Sequence, residues 1–313
     1  MRVLVFGAGA IGSVLGAMLA RSGTEVLLVG RPAHVAAIER EGLLAEGVSA
    51  TRVKVAASTE IPLGATFDRI LLTVKTFDLE EAAGRLTSRL RHPAPLLALE
   101  NGLGLRARLS PLLRSGGWFY VDRWLVRGIL TLPATLVGPG EVRLAGDGEL
   151  LLGPEGAFGG INGFDVLLSR AGLKVRRVES VAREEWRKAL VNAAINPVTA
   201  DHGVENGRLA DDPWRGQALS LLEEARSVAA SEGFEFTPRE TEEELFRVVR
   251  WTAKNRSSML QDLDHGRPTE IEAISGAILR LGRDHGLRLP QTERIVGRIR
   301  ARVRPPVASA SPA

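Results

Sequence analysis

The first thirty residues leave a chain like this the fewest choices. Val3 to Phe6 is a short apolar run that breaks into Gly7-Ala8-Gly9-Ala10-Ile11-Gly12. An apolar helical period from Ile11 to Leu19 then leads through Ser22-Gly23 to a β-rich run, Val26 to Val29. Strand, glycine turn, helix and second strand are the opening of a Rossmann-type unit, and in that context GxGxxG reads as a dinucleotide-binding loop. Gly7 permits the tight turn out of the strand, and Gly9 lets the backbone close on a pyrophosphate. Gly12 lets the helix lie against the sheet, so that the amides of the helix start, at Ala10 and Ile11, face the phosphates. A secretory leader is the competing reading of Arg2 and its apolar sequel; the glycine spacing, Arg21 and the second strand argue against it.

The second strand ends Val29-Gly30-Arg31. Folds that take NAD usually place a carboxylate at this point to hold the adenosine ribose. A carboxylate repels a 2′-phosphate, whereas the Arg31 guanidinium can pair with one through two parallel hydrogen bonds. The expected cofactor is therefore NADP, as NADPH. A solvated surface arginine is the plainer alternative.

At 313 residues the chain is long for one core and sufficient for two domains. With 44% hydrophobic and 25% charged residues it has the balance of a soluble globular protein. It has no cysteine, which excludes disulfides and thiolate metal sites. No run past the glycine loop is long and apolar enough for a membrane span, so a cytoplasmic protein is expected. The net charge is only +4, and the arginines are interspersed with acids, as in Arg183-Glu184-Glu185 and Arg239-Glu240. That is the pattern of a salt-bridged surface and not of a nucleic-acid stripe. Lysine is scarce (Lys54, Lys75, Lys174, Lys188 and Lys254), so each one invites a question.

Up to about Val178 strand-like and helix-like segments alternate. Strands are expected at Arg69 to Val74, ending in Lys75, and at Leu96 to Leu99, ending in Glu100-Asn101-Gly102. Others are expected at 134–137, 141–144, 149–152 and 174–178. In open parallel sheets ligands bind beyond the carboxyl ends of the strands, where Lys75 and Asn101 stand. After Ser180 the pattern turns helical, at 183–195, 213–232, 238–253, 270–284 and 292–304. Thr237-Pro238-Arg239-Glu240 and Thr269-Glu270-Ile271-Glu272 read as capping boxes. The expected organisation is an α/β Rossmann-type nucleotide-binding domain over 1–179, an all-α substrate and catalytic domain over 180–304, and a frayed tail over 305–313. The active site is expected in the cleft between the domains.

The first helix of the second half places Lys188, Asn192 and Asn196 at i, i+4 and i+8. They share one face, while Leu190, Val191, Ala194 and Ile195 face elsewhere. Such a stripe is costly if buried without partners, and it is what a polar substrate pocket requires. A snorkelling lysine with loop-bonding asparagines is the alternative.

Taken together, GAGAIG with Arg31, Thr73-Val74-Lys75, Glu100-Asn101-Gly102, WRKALVNAAINPVTA, Glu205-Asn206-Gly207, Ser257-Ser258-Met259-Leu260-Gln261-Asp262 and Gly266-Arg267-Pro268-Thr269-Glu270-Ile271 resemble the ketopantoate reductase family over nearly the whole chain. The resemblance implies a fold like that of 6-phosphogluconate dehydrogenase and NADPH-dependent reduction of a small-molecule 2-oxo acid, 2-dehydropantoate to pantoate, on the way to pantothenate and coenzyme A. It further implies Lys188 as general acid and Glu270 as the carboxylate that accepts a substrate hydroxyl. Asn192, Asn196, Asn206 and Ser258 are then the groups that hold the substrate's carboxylate and hydroxyls. Asn101 stands between cofactor and substrate, and Lys75 lies near the cofactor or the closed cleft. Reduction of another branched 2-oxo acid on the same scaffold, or a non-catalytic NADP sensor, are the alternatives. A homodimer is left open by the sequence.

His34, His92, His202, His265 and His285 form no His–carboxylate arrangement and are expected to be solvated or structural. No residues have metal-ligand spacing. Ile129, Leu130, Leu132 and Pro133 stand where the family usually has smaller residues, and Ser275 stands where an asparagine often follows the Thr-Glu-Ile run. The bulkier apolar residues near the strand end are expected to narrow or reshape the substrate pocket, which leaves the identity of the 2-oxo acid open but not the reaction type.

Overall fold

The computed structural model describes residues 1–154, 161 and 163–303. Among the described residues, 1–100 and 104–184 form one compact unit, and 101–103 and 185–303 form a second. The expected tail over 305–313 lies outside the described residues.

In the first unit the strands are β1 (Arg2–Phe6), β2 (Glu25–Val29), β3 (Leu44–Glu46), β4 (Ala56–Ser58), β5 (Arg69–Leu72), β6 (Leu96–Ala98), β7 (Leu125–Thr131), β8 (Ala134–Gly138), β9 (Glu141–Leu144), β10 (Glu149–Leu152) and β11 (Lys174–Arg177). Its helices are α1 (Ala10–Arg21), α2 (Pro32–Glu41), α3 (Leu79–Arg89), α4 (Leu105–Ser115), α5 (Val121–Trp124) and α6 (Phe164–Arg170). Eight strands make one sheet in the order β11-β10-β7-β6-β5-β1-β2-β4, parallel from β4 to β7, with β10 antiparallel to β7. The remaining three, ordered β3-β9-β8, form a small separate sheet that the strand pattern alone does not separate from the main one.

Alternation along β1 explains why both faces of the large sheet are covered. Val3 and Val5 join a cluster with Val14, Leu15 and Leu19 of α1, while Leu4 and Phe6 join Leu79 and Leu86 of α3 and Leu105 and Leu109 of α4. Successive side chains point to opposite faces, so an uninterrupted apolar strand needs helices on each side. Each such residue taken fully from water contributes about 1.5–3 kcal/mol. The chain leaves β1 toward β2 and β4 on one side and returns to β5 on the other, which puts the topological switch at the end of β1.

The second unit is helical: α7 (Val181–His202), α8 (Trp214–Ser231), α9 (Pro238–Trp251), α10 (Ser258–Asp264), α11 (Ser275–Asp284) and α12 (Pro290–Arg302). The chain passes from one unit to the other inside α7. Leu190, Ala194, Leu221, Leu222, Ala225, Val228, Ile278, Ile295, Val296 and Ile299 lie in one buried core. The α9 cap is as the sequence suggests: the Thr237 hydroxyl accepts the Glu240 amide, and Pro238 opens the helix. At α12 the Glu224 carboxylate accepts the Gln291 and Thr292 amides, a cap contributed by a distant helix.

Several expectations are corrected here. Thr269 does not cap a helix: residues 270–274 form turns, α11 begins at Ser275, and the Thr269 hydroxyl is buried without a hydrogen-bond partner. Glu272 bonds Arg300 at 2.7 and 3.0 Å instead of closing a capping box, and that guanidinium holds its carboxyl below the usual range. The helix over 183–195 runs on through Pro197 to His202, and α10 is an additional helix. Among the described residues no helix is long and apolar enough to cross a membrane, and no three of His, Asp and Glu converge as metal ligands.

Candidate active site

The glycine loop follows β1 into α1. The Gly7 and Ala8 amides both donate to the Val29 carbonyl, at 3.0 and 2.8 Å, and the Thr73 hydroxyl donates to the Gly7 carbonyl at 2.9 Å. Gly7 adopts φ +111, and a Cβ there would stand 2.6 Å from the Thr73 backbone. A Cβ on Gly12 would meet the Gly7 carbonyl oxygen at 2.2 Å, so the first helical turn packs directly on the loop. Above Gly9 there is open space. No side chain caps α1, its first turn carries no acid, and the amides of Ala10, Ile11 and Gly12 have no hydrogen-bond acceptor among the described residues. Uncapped amides at a helix start beside a side-chain-free surface fit a pyrophosphate.

Arg31 is the exposed N-cap of α2, immediately beyond β2, and its side chain makes no hydrogen bond among the described residues. Lys75 follows β5 and is half-buried. The short helical turn Thr76–Asp78 then brings in a residue that the sequence reading overlooks. Asp78 is the N-cap of α3, half-buried and within electrostatic reach of both Arg31 and Lys75. Burial, with the nearby Glu81 carboxylate, pushes its carboxyl above the ordinary range, while Arg31 and Lys75 pull the other way.

In the second unit Lys188, Asn192 and Asn196 stand on consecutive turns of α7. Lys188 and Asn192 are half-buried and Asn196 is buried. One turn further, the Thr199 hydroxyl donates to the Ser257 hydroxyl at 2.7 Å, and Ser257 accepts the Leu260 amide as the cap of α10. That bond sets Ser258, exposed at the first position of α10, near the asparagine end of the stripe. Asn206 opens the short helix Asn206–Ala210; its amide donates to the Asn255 carbonyl and its side-chain NH2 to the Thr252 hydroxyl, both at 2.9 Å. Its side-chain oxygen is buried without a hydrogen-bond partner. The Ser275 hydroxyl is likewise buried and unbonded at the start of α11. Buried polar atoms left this way are costly and suit a polar ligand.

Residues 101–103, the sequel of β6, belong to this unit. The Asn101 side-chain amide donates to Glu270 Oε2 at 3.0 Å, and the Leu103 amide donates to the Ala273 carbonyl at 3.1 Å. The structure thus brings Asn101 and Glu270 together, although 169 residues separate them. Glu270 is buried in the turn before α11 and not in a first helical turn. Upstream, the buried Arg127 of β7 donates to the carbonyls of Ala98 and Glu100, at 3.1 and 2.9 Å, and so fixes the strand end that leads to Asn101. An arginine inside an apolar strand is the signal that could have marked it.

Other expected features fall outside this group. Ile129 is buried with Leu151 and Val181, and Leu130 is buried in the cluster that contains Leu97 and Leu150. Both are core residues of β7, which corrects the expectation that they shape a pocket. His34 is buried in α2 between Ser13 and the Gly140 amide, a structural role. Two cavities of about 440 and 380 Å³ border α8 and α12, and none of the candidate residues lines them.

Comparison with known proteins finds family models that match both halves of the chain. Residues 3–156 match the family model described as ketopantoate reductase PanE/ApbA, and residues 180–303 match its C-terminal model. The chain is 34% identical to the 2-dehydropantoate 2-reductase of Pyrococcus horikoshii, covering 93% of each, and 34% identical to that of Archaeoglobus fulgidus, covering 91% of this chain and 92% of that one. Among solved structures, a PanE/ApbA family ketopantoate reductase from Ralstonia eutropha aligns with TM-score 0.85 at 31% identity, over 96% of this chain and 98% of that one. A ternary complex of D-mandelate dehydrogenase with NADH and anilino(oxo)acetate aligns with TM-score 0.88 at 28% identity over the same shares. With both halves matched in order and the relatives covered nearly end to end, the chain belongs to the ketopantoate reductase family.

Proposed function

We propose that the chain is an NADPH-dependent reductase that converts 2-dehydropantoate to pantoate. In this reading Gly7, Gly9, Ala10, Ile11 and Gly12 hold the pyrophosphate, Arg31 pairs with the 2′-phosphate, and Lys75 lies near the adenosine. When bound, the dihydronicotinamide supplies a hydride to the substrate's carbonyl carbon.

Lys188 donates a hydrogen bond to the ketone oxygen and then its proton, so the carbonyl becomes a hydroxyl without passing a bare alkoxide to water. An ammonium suits this task because negative charge grows on that oxygen in the transition state. Glu270 accepts a hydrogen bond from the substrate hydroxyl, and Asn101 holds it in place. Asn192, Asn196, Asn206 and Ser258 supply donors and acceptors for the carboxylate and the remaining hydroxyl. The observation that carries the reading is the 3.0 Å bond from Asn101 to Glu270, which unites the strand-end asparagine with the carboxylate of the Thr-Glu-Ile run.

A second reading, reduction of an aryl or differently branched 2-oxo acid, is favoured by the alignment with D-mandelate dehydrogenase at TM-score 0.88. Both readings are tested by following NADPH oxidation with 2-dehydropantoate, phenylglyoxylate and pyruvate, for the wild type and Lys188→Ala. The expected result is highest kcat/KM on 2-dehydropantoate and a kcat loss on the order of a hundredfold or more in Lys188→Ala, with NADPH affinity unchanged. Preference for phenylglyoxylate would transfer the assignment to the second reading. NADPH binding without turnover on any of the three would leave a nucleotide-binding protein and remove the reductase.

A further inference from the structure

Two helix starts follow the strands that flank β1. β2 leads directly into Arg31, the N-cap of α2, and β5 leads through Lys75 and the short helical turn Thr76–Asp78 into Asp78, the N-cap of α3. Gly30, just before Arg31, lies so close to the loop that a Cβ there would meet the Ala8 Cβ at 2.7 Å. The absence of a carboxylate at the end of β2 thus does not describe the whole neighbourhood, because one arrives from the next crossover. Asp78 does not use its side chain to cap α3, so the carboxylate is not committed to that helix. It is half-buried, and Arg31 and Lys75 are the cations within its electrostatic reach.

We propose that Asp78 is a specificity-determining residue for the cofactor, set against Arg31, and that it holds the preference for a 2′-phosphate below the level Arg31 alone would give. This rests on the reading of Arg31 as the 2′-phosphate partner. With no 2′-phosphate present, Asp78 neutralises part of the Arg31 charge and offers an acceptor to a ribose hydroxyl. With a 2′-phosphate present, it competes with that anion for the guanidinium and repels it. The two effects act in opposite directions on NADPH and NADH, so one carboxylate narrows the gap between them.

The test is calorimetric binding of NADPH and of NADH to the wild type, Asp78→Asn, Arg31→Ala and the double variant. Asparagine keeps the size and is itself a good helix cap, so the fold is retained; Asp78→Ser serves as the second variant. The expected result in Asp78→Asn is NADPH bound about three- to tenfold more tightly with NADH unchanged or weaker, and a smaller gain when Arg31 is absent. Glu81→Gln removes a neighbouring charge that pairs with Arg85 at 3.6 Å and is expected to leave the ratio unchanged. An NADPH-to-NADH ratio that moves less than twofold in both Asp78 variants, while Arg31→Ala selectively loses NADPH, overturns the proposal and leaves the 2′-phosphate reading standing. So does an equal gain in Glu81→Gln. Arg31→Ala that weakens both cofactors alike, or a wild type that binds neither, overturns the 2′-phosphate reading and this proposal with it.

Discussion

Asn101 and Glu270 are joined by a 3.0 Å hydrogen bond, and the chain around each is fastened to the same turn. The Leu103 amide reaches the Ala273 carbonyl, and Gly102 adopts φ +100 against that same carbonyl. The turn over 270–274 therefore takes its shape from the segment after β6 as well as from its own sequence. This is a physical reason for Glu270 to lie outside a regular helix: the backbone that would have continued α11 toward its N-terminus is instead docked on residues 101–103. A carboxylate held by a donor from another segment presents a fixed oxygen, which a solvated helix-start glutamate does not.

Replacing Asn101 with alanine removes a hydrogen bond to a buried carboxylate, an interaction worth about 1.5–3 kcal/mol, so kcat/KM for 2-dehydropantoate should fall roughly 10- to 100-fold. Glu270→Gln should raise KM for the 2-oxo acid and leave the dissociation constant for NADPH within about twofold. Steady-state kinetics with direct cofactor titration separates the two. Full activity in Asn101→Ala would mean that the bond is incidental to the reaction.

At Gly102 the constraint is backbone conformation. An alanine there must adopt a left-handed φ and place its Cβ 2.6 Å from the Ala273 carbonyl oxygen. The φ penalty alone is about 1–3 kcal/mol. Gly102→Ala should lower the urea midpoint accordingly and reduce turnover more than it reduces NADPH affinity. Gly104 provides the control, since it also has positive φ but nothing within 4 Å of its Cβ. Gly104→Ala should lose stability without the selective loss of turnover.

Much of this was legible in the sequence, for a reason visible in β1 and α7. Where a local period decides the structure, as in the apolar run Val3–Phe6 or the four-residue spacing of Lys188, Asn192 and Asn196, reading residues in order gives the element and its polar face. The family motifs added the order of the two halves. What local pattern could not give is anything set by a partner far along the chain. Thr269-Glu270-Ile271-Glu272 has the letters of a capping box, yet Arg300 takes Glu272 and Asn101 takes Glu270. Glu224 caps α12 from another helix. Asp78 reads as an ordinary helix-start acid until the sheet order carries it to the same strand-end edge as Arg31, within that residue's electrostatic reach.

Ile129 and Leu130 illustrate the same limit and yield a prediction opposite to the one their sequence context suggests. They are 1% and 4% exposed and belong to two different buried clusters on β7. Ile129→Ala or Leu130→Ala should cost about 2–5 kcal/mol of stability, the range for a large core side chain cut to alanine. The relative rates on 2-dehydropantoate, phenylglyoxylate and pyruvate should remain unchanged. A broadened substrate profile at undiminished stability would show that these side chains border the pocket after all.

His34 gives the first unit a dependence on pH whose direction follows from its bonds. Its Nδ1 accepts the Gly140 amide at 2.9 Å, so that nitrogen carries no proton, and its Nε2 lies 2.9 Å from the Ser13 hydroxyl. Burial pushes its pKa below the ordinary 6.5, with the Gly138 backbone pulling the other way. The unfolded chain therefore takes up a proton at this histidine at higher pH than the folded chain does. Its contribution to stability is fully present above about pH 6.5 and is lost as pH falls through the lower folded value. An imidazolium could no longer accept the Gly140 amide, so the contact joining α2 to the turn between β8 and β9 is what weakens. His34→Gln keeps an acceptor and a donor in nearly the same places but does not titrate. Thermal melts of the wild type should lose stability below about pH 6.5, and the part of that loss missing from His34→Gln belongs to this residue. Identical pH profiles for the two proteins would show that the buried imidazole is not the group being titrated.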